Sequence, residues 1–462
     1  MRNYEQYKRL IKLFSSSVIV LLEVGAYWIV WHRYYNNLII APFFRRGNWL
    51  MVAVYGILLL FFLKTYGGLK IGFYKTGNVI YSQILSIIFV NIITYLQIAL
   101  LALGFPPVGV MFLMTLTDVI LIVLWALIFQ SVYEKMFPKK RMLLVYGDIP
   151  AFHLQEKINS REDKYQICGA VHIRIGIKRI MEMAEDYDAV IIGDVPSHER
   201  NCLMKECFGS SIRSYTVPKI SDILLSSSAE LNIFDSPLYL SRNEDLKVEQ
   251  KFFKRLIDIL FSSLGLIVTF PFWAVISLMI KCSDRGPVFY KQLRLTKDGK
   301  VFEIYKFRTM VQNAEEDGVA RLASESDDRI LPVGRFLRMT RLDELPQLIN
   351  ILKGEMSVVG PRPERPELAA EIEKEIPEFA YRLKVKAGLT GYAQVYGKYN
   401  TTAYDKLKLD LTYIRKYSVF LDLKLILMTP KIMLLKESTE GVKESPAEQS
   451  AREEAAASSI KD

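Results

Sequence analysis

The chain has 462 residues, of which 51% are hydrophobic and 24% charged, and its formal net charge is +10. So apolar a composition argues against a wholly soluble protein, while the charged quarter requires soluble parts, and the length suggests two to four domains. The basic excess does not require nucleic acid, for which no recognised motif is present, because Lys and Arg collect on the cytoplasmic flanks of membrane spans and near anionic headgroups.

Four apolar stretches come first. Residues 10–31 are long enough to span hydrocarbon and are expected to be a span rather than a signal peptide, since no small-residue cleavage site follows them. Residues 48–63, 79–104 and 108–130 follow, the last two joined by a Gly-Phe-Pro-Pro turn at 104–107. Arg2, Lys8, Arg9 and Lys12 precede or open the first span, Lys64, Lys70 and Lys75 lie between the second and third, and Lys135, Lys139, Lys140 and Arg141 follow the fourth. This distribution predicts a four-span bundle over 1–138 with both ends in the cytoplasm. Glu23, inside the first span, is either functional or a partner within the bundle.

Residues 139–245 alternate strand-like and helix-like segments, among them RMLLVYGD, YQICGAVH and DAVIIGD, and predict a Rossmann-like domain with a parallel α/β sheet. GDIPAF carries one glycine where a dinucleotide fold needs several, so a dinucleotide is not expected there. Asp186 and Asp188 form a DxD of the kind used to hold a metal, or simply an acidic helix-to-strand junction. The cysteines include no CxxC pair, and reduced thiols are expected.

Residues 246–437 open with an apolar segment that has Pro271 near its middle and basic residues at both ends, Lys251, Lys254 and Arg255 before and Lys281, Arg285 and Lys291 after. A bent segment that enters and leaves the membrane on one side satisfies this pattern; a straight fifth span with a proline kink is the alternative. In VFEIYKFRTM, Lys306 and Arg308 are two apart and point the same way on a strand, suited to phosphate oxygens or to a solvated face. Asp343 and Glu344 precede Pro346, which places two carboxylates at or near a helix start, where the dipole and Arg338 and Arg341 favour the ionised form. An ionised aspartate can attack phosphorus and a neighbouring glutamate can hold Mg²⁺; an ordinary acidic helix start is the other reading. Pro361 and Pro363 fix the backbone around Arg362, presetting a guanidinium for phosphate. Lys384, Lys386, a glycine-rich turn at 388–391 and Asp410 follow. Residues 438–462 are polar, low in aromatics and expected to be a disordered tail.

Taken together, KRLIDIL, the proline-broken apolar helix, GPVFYKQLRLTKDGKVFEIYKFRTM, LDELPQLINILKGEMSVVGPRP and GLTGYAQVYG resemble the bacterial sugar transferases, the phosphoglycosyl transferases that act on polyprenyl phosphates. With four spans and an α/β domain in front, the chain is similar to the large members, which start capsule, exopolysaccharide or O-antigen repeat units. The resemblance implies a C-terminal α/β catalytic domain with a re-entrant membrane helix broken at Pro271. It implies transfer of a sugar-1-phosphate from a UDP-sugar, glucose or galactose, to undecaprenyl phosphate at the cytoplasmic face of the bacterial inner membrane, with release of UMP. Asp343 would carry the phosphosugar, Glu344 would bind Mg²⁺, Arg362 would grip phosphate, and Lys306, Arg308, Arg341 and Asp410 would surround the site. A homodimer is plausible by analogy. A processive glycosyltransferase, for which only the Asp186–Asp188 pair offers a metal site, and a non-catalytic membrane scaffold are the competing readings.

Overall fold

Apolar runs bounded by glycine, proline and basic residues become helices here. In a computed structural model that describes residues 4–147, 152–159, 161, 164–233, 235–241, 246–312, 329–398 and 401–433, the first four are α1 (Lys8–Arg33), α2 (Arg46–Tyr66), α3 (Thr76–Ala102) and α4 (Gly109–Met136). Gly67, in the left-handed conformation that glycine tolerates, ends α2. The turn after α3 is pinned by Tyr95 and Tyr35, whose hydroxyls donate to the carbonyls of Pro106 and Pro107 at 2.7 and 3.0 Å. The second stretch, short in the sequence, gains a turn from flanking residues and reaches 21 residues. Together with α9 below, five helices among the described residues are long and apolar enough to cross a membrane.

An α/β sheet follows: β1 (Lys140–Tyr146), α5 (Phe152–Asn159), β2 (Tyr165–His172), α6 (Ile177–Ala184), β3 (Ala189–Ile192), α7 (Ser197–Gly209) and β4 (Ser214–Thr216). The four strands are parallel in the order β2-β1-β3-β4. Buried Leu143, Val145, Val190 and Ile192 pack against Ile180, Ala184 and Leu203 of the helices on one face. Asp188 accepts the Arg141 amide at 2.8 Å, so the DxD pair stands where β3 meets the start of β1. The turn after Gly147, where the glycine-rich loop was sought, lies at 148–151, outside the described residues.

The chain divides into two compact units between Val217 and Pro218. The reason is local packing: Ile220 and Ile223 of α8 (Ile220–Leu225) bury against Ala369, Phe379, Leu407 and Leu411. The hairpin β5 (Ala229–Ile233) and β6 (Ser236–Leu240) follows, and then α9, which runs unbroken from Val248 to Asp284. The break expected at Pro271 is therefore a proline inside a continuous helix. Proline cannot bond the carbonyl four residues back, and the Thr269 hydroxyl donates to the Gly265 carbonyl at 2.7 Å beside it.

Beyond α9 lie β7 (Phe289–Leu295), β8 (Val301–Phe307), α10 (Pro332–Thr340), α11 (Gln347–Lys353), β9 (Ser357–Val359), α12 (Pro366–Glu375), β10 (Gly388–Thr390), α13 (Tyr392–Tyr396), α14 (Ala403–Arg415) and α15 (Val419–Met433). Among the described residues this unit has no extended sheet. Beyond α9 it has an antiparallel β7–β8 ribbon and a parallel β9–β10 pair, each strand of the pair only three residues long. The α/β expectation for this domain thus gives way to helices packed around two ribbons, over a core that includes Phe302, Ile304, Ile351, Met356, Val359 and Leu425. Residues 438–462, expected as a tail, lie outside the described residues.

Candidate active site

The expected acidic helix start is a tighter structure. α10 ends at Arg341 in the left-handed region at φ 58°, and Leu342–Glu344 form a 3-10 turn before α11 begins at Gln347. A non-glycine residue at that φ stores strain, and here it turns the chain so that both carboxylates point inward. Asp343 and Glu344 are buried.

Three cations converge on Glu344. Its Oε1 accepts from Lys306 Nζ at 3.2 Å and from Arg362 Nη2 at 3.0 Å, with Arg341 Nη1 at 3.9 Å. Burial alone would raise this carboxyl; Lys306, Arg362 and Arg341 together hold it well below the usual range. Asp343 is the reverse case. Its Oδ1 is buried without a hydrogen-bond partner. Burial, and next the charge of Glu344, push it up to about 6, against the pull of Lys306, Arg338 and Arg341. Two adjacent carboxylates thus have opposite electrostatic fates, one neutralised by ion pairs and one with a buried oxygen left unpartnered.

Alternation in β8 explains Lys306. Phe302 and Ile304 are buried on the same face, and Lys306 continues that face inward to Glu344. Arg308 does not follow. The strand ends at Phe307, and the Arg308 guanidinium instead pairs bidentately with Asp284 at the end of α9 and donates from Nε to the Pro287 carbonyl at 2.6 Å. The expectation that Lys306 and Arg308 share one face is corrected by that strand end.

Asp410 is likewise displaced from the expected role. It is buried, and its Oδ2 accepts from Arg382 Nε at 3.0 Å. Arg382 Nη2 in turn donates to the Arg362 carbonyl at 3.0 Å. Asp410 reaches the site through the backbone of Arg362 and not through a contact with the carboxylate pair.

Three glycines hold the Pro361-Arg362-Pro363 segment. Gly360 donates to Thr390 O at 2.8 Å and Gly388 to Pro361 O at 2.9 Å. A Cβ on Gly388 would collide with the Gly360 amide, and one on Gly391 with the Gly360 carbonyl. Only bare backbones can approach so closely, which ties the two glycine motifs to one purpose, the placement of Arg362.

Several supports escaped the sequence reading. Arg294 of β7 donates to the Pro363 carbonyl at 3.1 Å. Lys254 donates to Val359 O and pairs with Asp422, at 2.8 and 2.9 Å, and Asp258 accepts from Ser357 and from the Val358 amide. Lys254 and Asp258, one turn apart in an apolar helix, were a legible signal; Arg382 and Asp422, distant in sequence, were not.

A buried carboxylate pair ringed by a lysine and two arginines, one of them on a proline-stiffened loop, has the cations and the carboxylate that phosphate chemistry calls for. The family comparison agrees with that class. The bacterial sugar transferase family matches residues 249–436. Over 219 residues the chain is 41% identical to the UDP-glucose:undecaprenyl-phosphate glucose-1-phosphate transferase of Klebsiella pneumoniae, covering 45% of each chain. It is 34% identical over 262 residues to the UDP-N-acetylgalactosamine-undecaprenyl-phosphate N-acetylgalactosaminephosphotransferase of Aeromonas hydrophila, covering 54% of this chain and 59% of that one. With the UDP-glucose:undecaprenyl-phosphate glucose-1-phosphate transferase of Escherichia coli (strain K12) it shares 32% over 317 residues, 63% of this chain and 67% of that one. The chain belongs to the bacterial sugar transferase family. It spans about half the length of the first two of these relatives.

Proposed function

We propose that this protein transfers a sugar-1-phosphate from a UDP-hexose, glucose or galactose, to undecaprenyl phosphate, starting a capsule or exopolysaccharide repeat unit at the cytoplasmic face of the bacterial inner membrane. The observation that carries the reading is Asp343: a buried carboxylate with an unpartnered oxygen, beside a Glu344 whose charge is already balanced by Lys306 and Arg362. The names of the relatives supply the substrate class; because they differ in the sugar, glucose or galactose is the narrower part of the proposal.

In the first step a carboxylate oxygen of Asp343 bonds to the sugar-bearing phosphorus. The bond from that phosphorus to the bridging oxygen breaks, and UMP leaves with the electron pair. In the second, an oxygen of undecaprenyl phosphate bonds to the same phosphorus, the bond to Asp343 breaks, and the carboxylate is regenerated with release of the undecaprenyl diphosphate sugar. Lys306, Arg341 and Arg362 can exchange Glu344 for phosphate oxygens and so stabilise charge that builds on the transferred group. Asp410 acts as a positioning residue through Arg382, whereas Arg308 holds Asp284 at the end of α9.

Among the described residues no group of three or more His, Cys, Asp or Glu side chains could hold a metal alone. Mg²⁺ asks for less: one or two carboxylates, with water and substrate phosphates completing its shell. The adjacent buried pair, with Asp343 Oδ1 unpartnered, fits that ion, and Glu344 would hold it. When bound, the ion screens the repulsion between carboxylate and phosphate.

In this reading α1 to α4 span the membrane, and α9 enters and leaves on one side, bending about Pro271. Its basic flanks and the exposed Ile267, Phe270 and Phe272 support that placement. The chemistry is tested by incubating the purified protein with undecaprenyl phosphate, Mg²⁺ and a panel of UDP-sugars. UMP release with one sugar is expected, and none from Asp343→Asn; release of UDP would replace the phosphosugar mechanism with ordinary glycosyl transfer.

A further inference from the structure

Four lysines meet at the end of the helix bundle that leads into the first α/β sheet, and the transferase reading uses none of them. Lys8 and Lys12, one turn apart on α1, both sit over the Tyr133 ring of α4, at 6.0 and 5.4 Å from its centroid, and Lys8 lies 5.0 Å from the centroid of Phe137. Tyr133 abuts the turn between α2 and α3. Gly72 of that turn, at φ 63°, has no room for a Cβ against the Tyr133 ring, and its bare backbone holds the turn against α4. The next residue, Phe73, has Lys70 and Lys164 each 5.3 Å from its ring centroid, and its carbonyl accepts from Arg161. The start of α1, the α2–α3 turn and the segment before β2 thus bring cations to one pair of contiguous aromatic supports.

Acid is scarce there. Glu5 is shared by Lys8 at 3.5 Å, Lys140 at 2.9 Å and Arg213 at 3.1 Å, and Glu134 of α4 accepts from Gln130 at 2.7 Å. Among the described residues neither Lys12 nor Lys70 has a carboxylate partner. A ring face attracts an ammonium but offers it no oxygen, so its three donors are still available. Lys12 is also within electrostatic reach of Lys8 and Lys164, and an anion placed among them would relieve that repulsion.

The kind of anion follows from what lies below the cations. Lys12 stands near the start of the apolar run 10–31, and the residues after it, Leu13 and Phe14, are 63% and 64% exposed. The Phe14 ring is 6.4 Å from Phe129, which is one turn along α4 from Tyr133. Cations above and exposed apolar side chains below, on the same two helices, match a phosphate that carries acyl chains; a soluble phosphate would leave Leu13 and Phe14 uncovered. Basic pockets at the ends of membrane helices take such headgroups. We propose that Lys8, Lys12, Lys70 and Lys164 form a binding site for the phosphate headgroup of an acidic membrane phospholipid, whose acyl chains lie along Phe14 and Phe129. The site rests on the reading that α1 to α4 span the membrane.

The test uses the full chain in nanodiscs of phosphatidylcholine with a rising minor share of phosphatidylglycerol. Native mass spectrometry identifies the phospholipid kept by each chain, and its affinity is read from the dependence on that share. One phosphatidylglycerol should be kept in preference to phosphatidylcholine, and excess inorganic phosphate should not displace it. Lys12→Gln and Lys164→Gln should each weaken its retention about fivefold, the loss expected for one lysine at an anionic headgroup, while Lys12→Arg should keep it. Lys64→Gln and Lys135→Gln, which remove exposed lysines from the last turns of α2 and α4, should leave it unchanged. Equal retention of the two phospholipids overturns the site, and equal weakening in all four Gln variants reduces it to general surface charge. Displacement by inorganic phosphate assigns the cations to a soluble anion instead. A chain that stays outside the discs overturns the membrane reading, and the site with it.

Discussion

The backbone carbonyl of Arg362 accepts a hydrogen bond from Arg382 at 3.0 Å, and Arg382 is itself paired with the buried Asp410 at 2.8 Å. The guanidinium that reaches Glu344 is therefore steered from behind, by an ion pair that never touches the carboxylates. Breaking one partner of a buried pair leaves the other charge uncompensated and costs about 3 kcal/mol or more. Asp410→Asn should lower stability by roughly that amount, while Glu364, 3.3 Å from Arg382, retains part of the anchor. If Asp410 acts through Arg362, the variant that still folds should show a raised KM for the UDP-sugar with a smaller change in kcat. An unchanged KM would separate Asp410 from the placement of Arg362.

A second expectation concerns pH. The Asp343 carboxyl sits at about 6, above its ordinary value, because burial and the Glu344 charge disfavour ionisation. If Asp343 is the proposed nucleophile, its attacking form is the ionised one, so kcat/KM should rise with pH through about 6 and fall below it. The sign can be tested by substitution. In Glu344→Gln the neighbouring negative charge is gone, and Lys306 and Arg362 are free to favour an ionised Asp343. The acid limb of the residual activity should then move to lower pH. A limb that stays in place, or moves up, would assign it to another group. The pH dependence of kcat/KM for wild type and variant decides this.

Short-range order was readable in advance because it is local. The four long apolar helices α1–α4 and the strands of the first α/β sheet follow from hydropathy and period. The Asp343-Glu344 pair and Arg362 stood out because prolines and adjacent charges mark unusual backbone. What could not be read was tertiary choice. Arg308 lies two residues from Lys306, yet one residue past the end of β8 its side chain finds Asp284 instead. Gly360 and Gly388 look like unrelated turns until the close approach of their backbones is seen. The packing of Ile220 and Ile223 with the second compact unit depends on a surface made by residues far downstream.

Arg308 gives a clear contrast between holding structure and holding substrate. Its fork grips Asp284 at the end of α9, and its Nε holds the Pro287 carbonyl. Arg308→Lys cannot reproduce a bidentate pair and should lose stability, as should Asp284→Asn. The double variant should cost less than the sum of the two, since residues in direct contact couple by about 0.5–3 kcal/mol. The KM for the UDP-sugar should change little in the folded fraction of each. Additive losses, or a KM that rises in Arg308→Lys but not in Asp284→Asn, would return Arg308 to the substrate.

Cys282, exposed at the far end of α9, is a natural reporter of where that helix ends. If α9 enters and leaves the membrane on one side, Lys281, Arg285 and the carboxylate pair beyond them all face the cytosol, where UDP-sugars are. In a chain with Cys168, Cys202 and Cys207 replaced by serine or alanine, Cys282 should resist a membrane-impermeant maleimide in intact cells and react in inside-out vesicles. A straight fifth span would reverse both results, because it carries residue 282 to the opposite side. The proline separates the two cases further. Pro271→Ala restores the missing backbone donor and favours a straight helix. It should therefore increase labelling from outside and lower UMP release together, since a carboxylate pair carried across the membrane is parted from its donor.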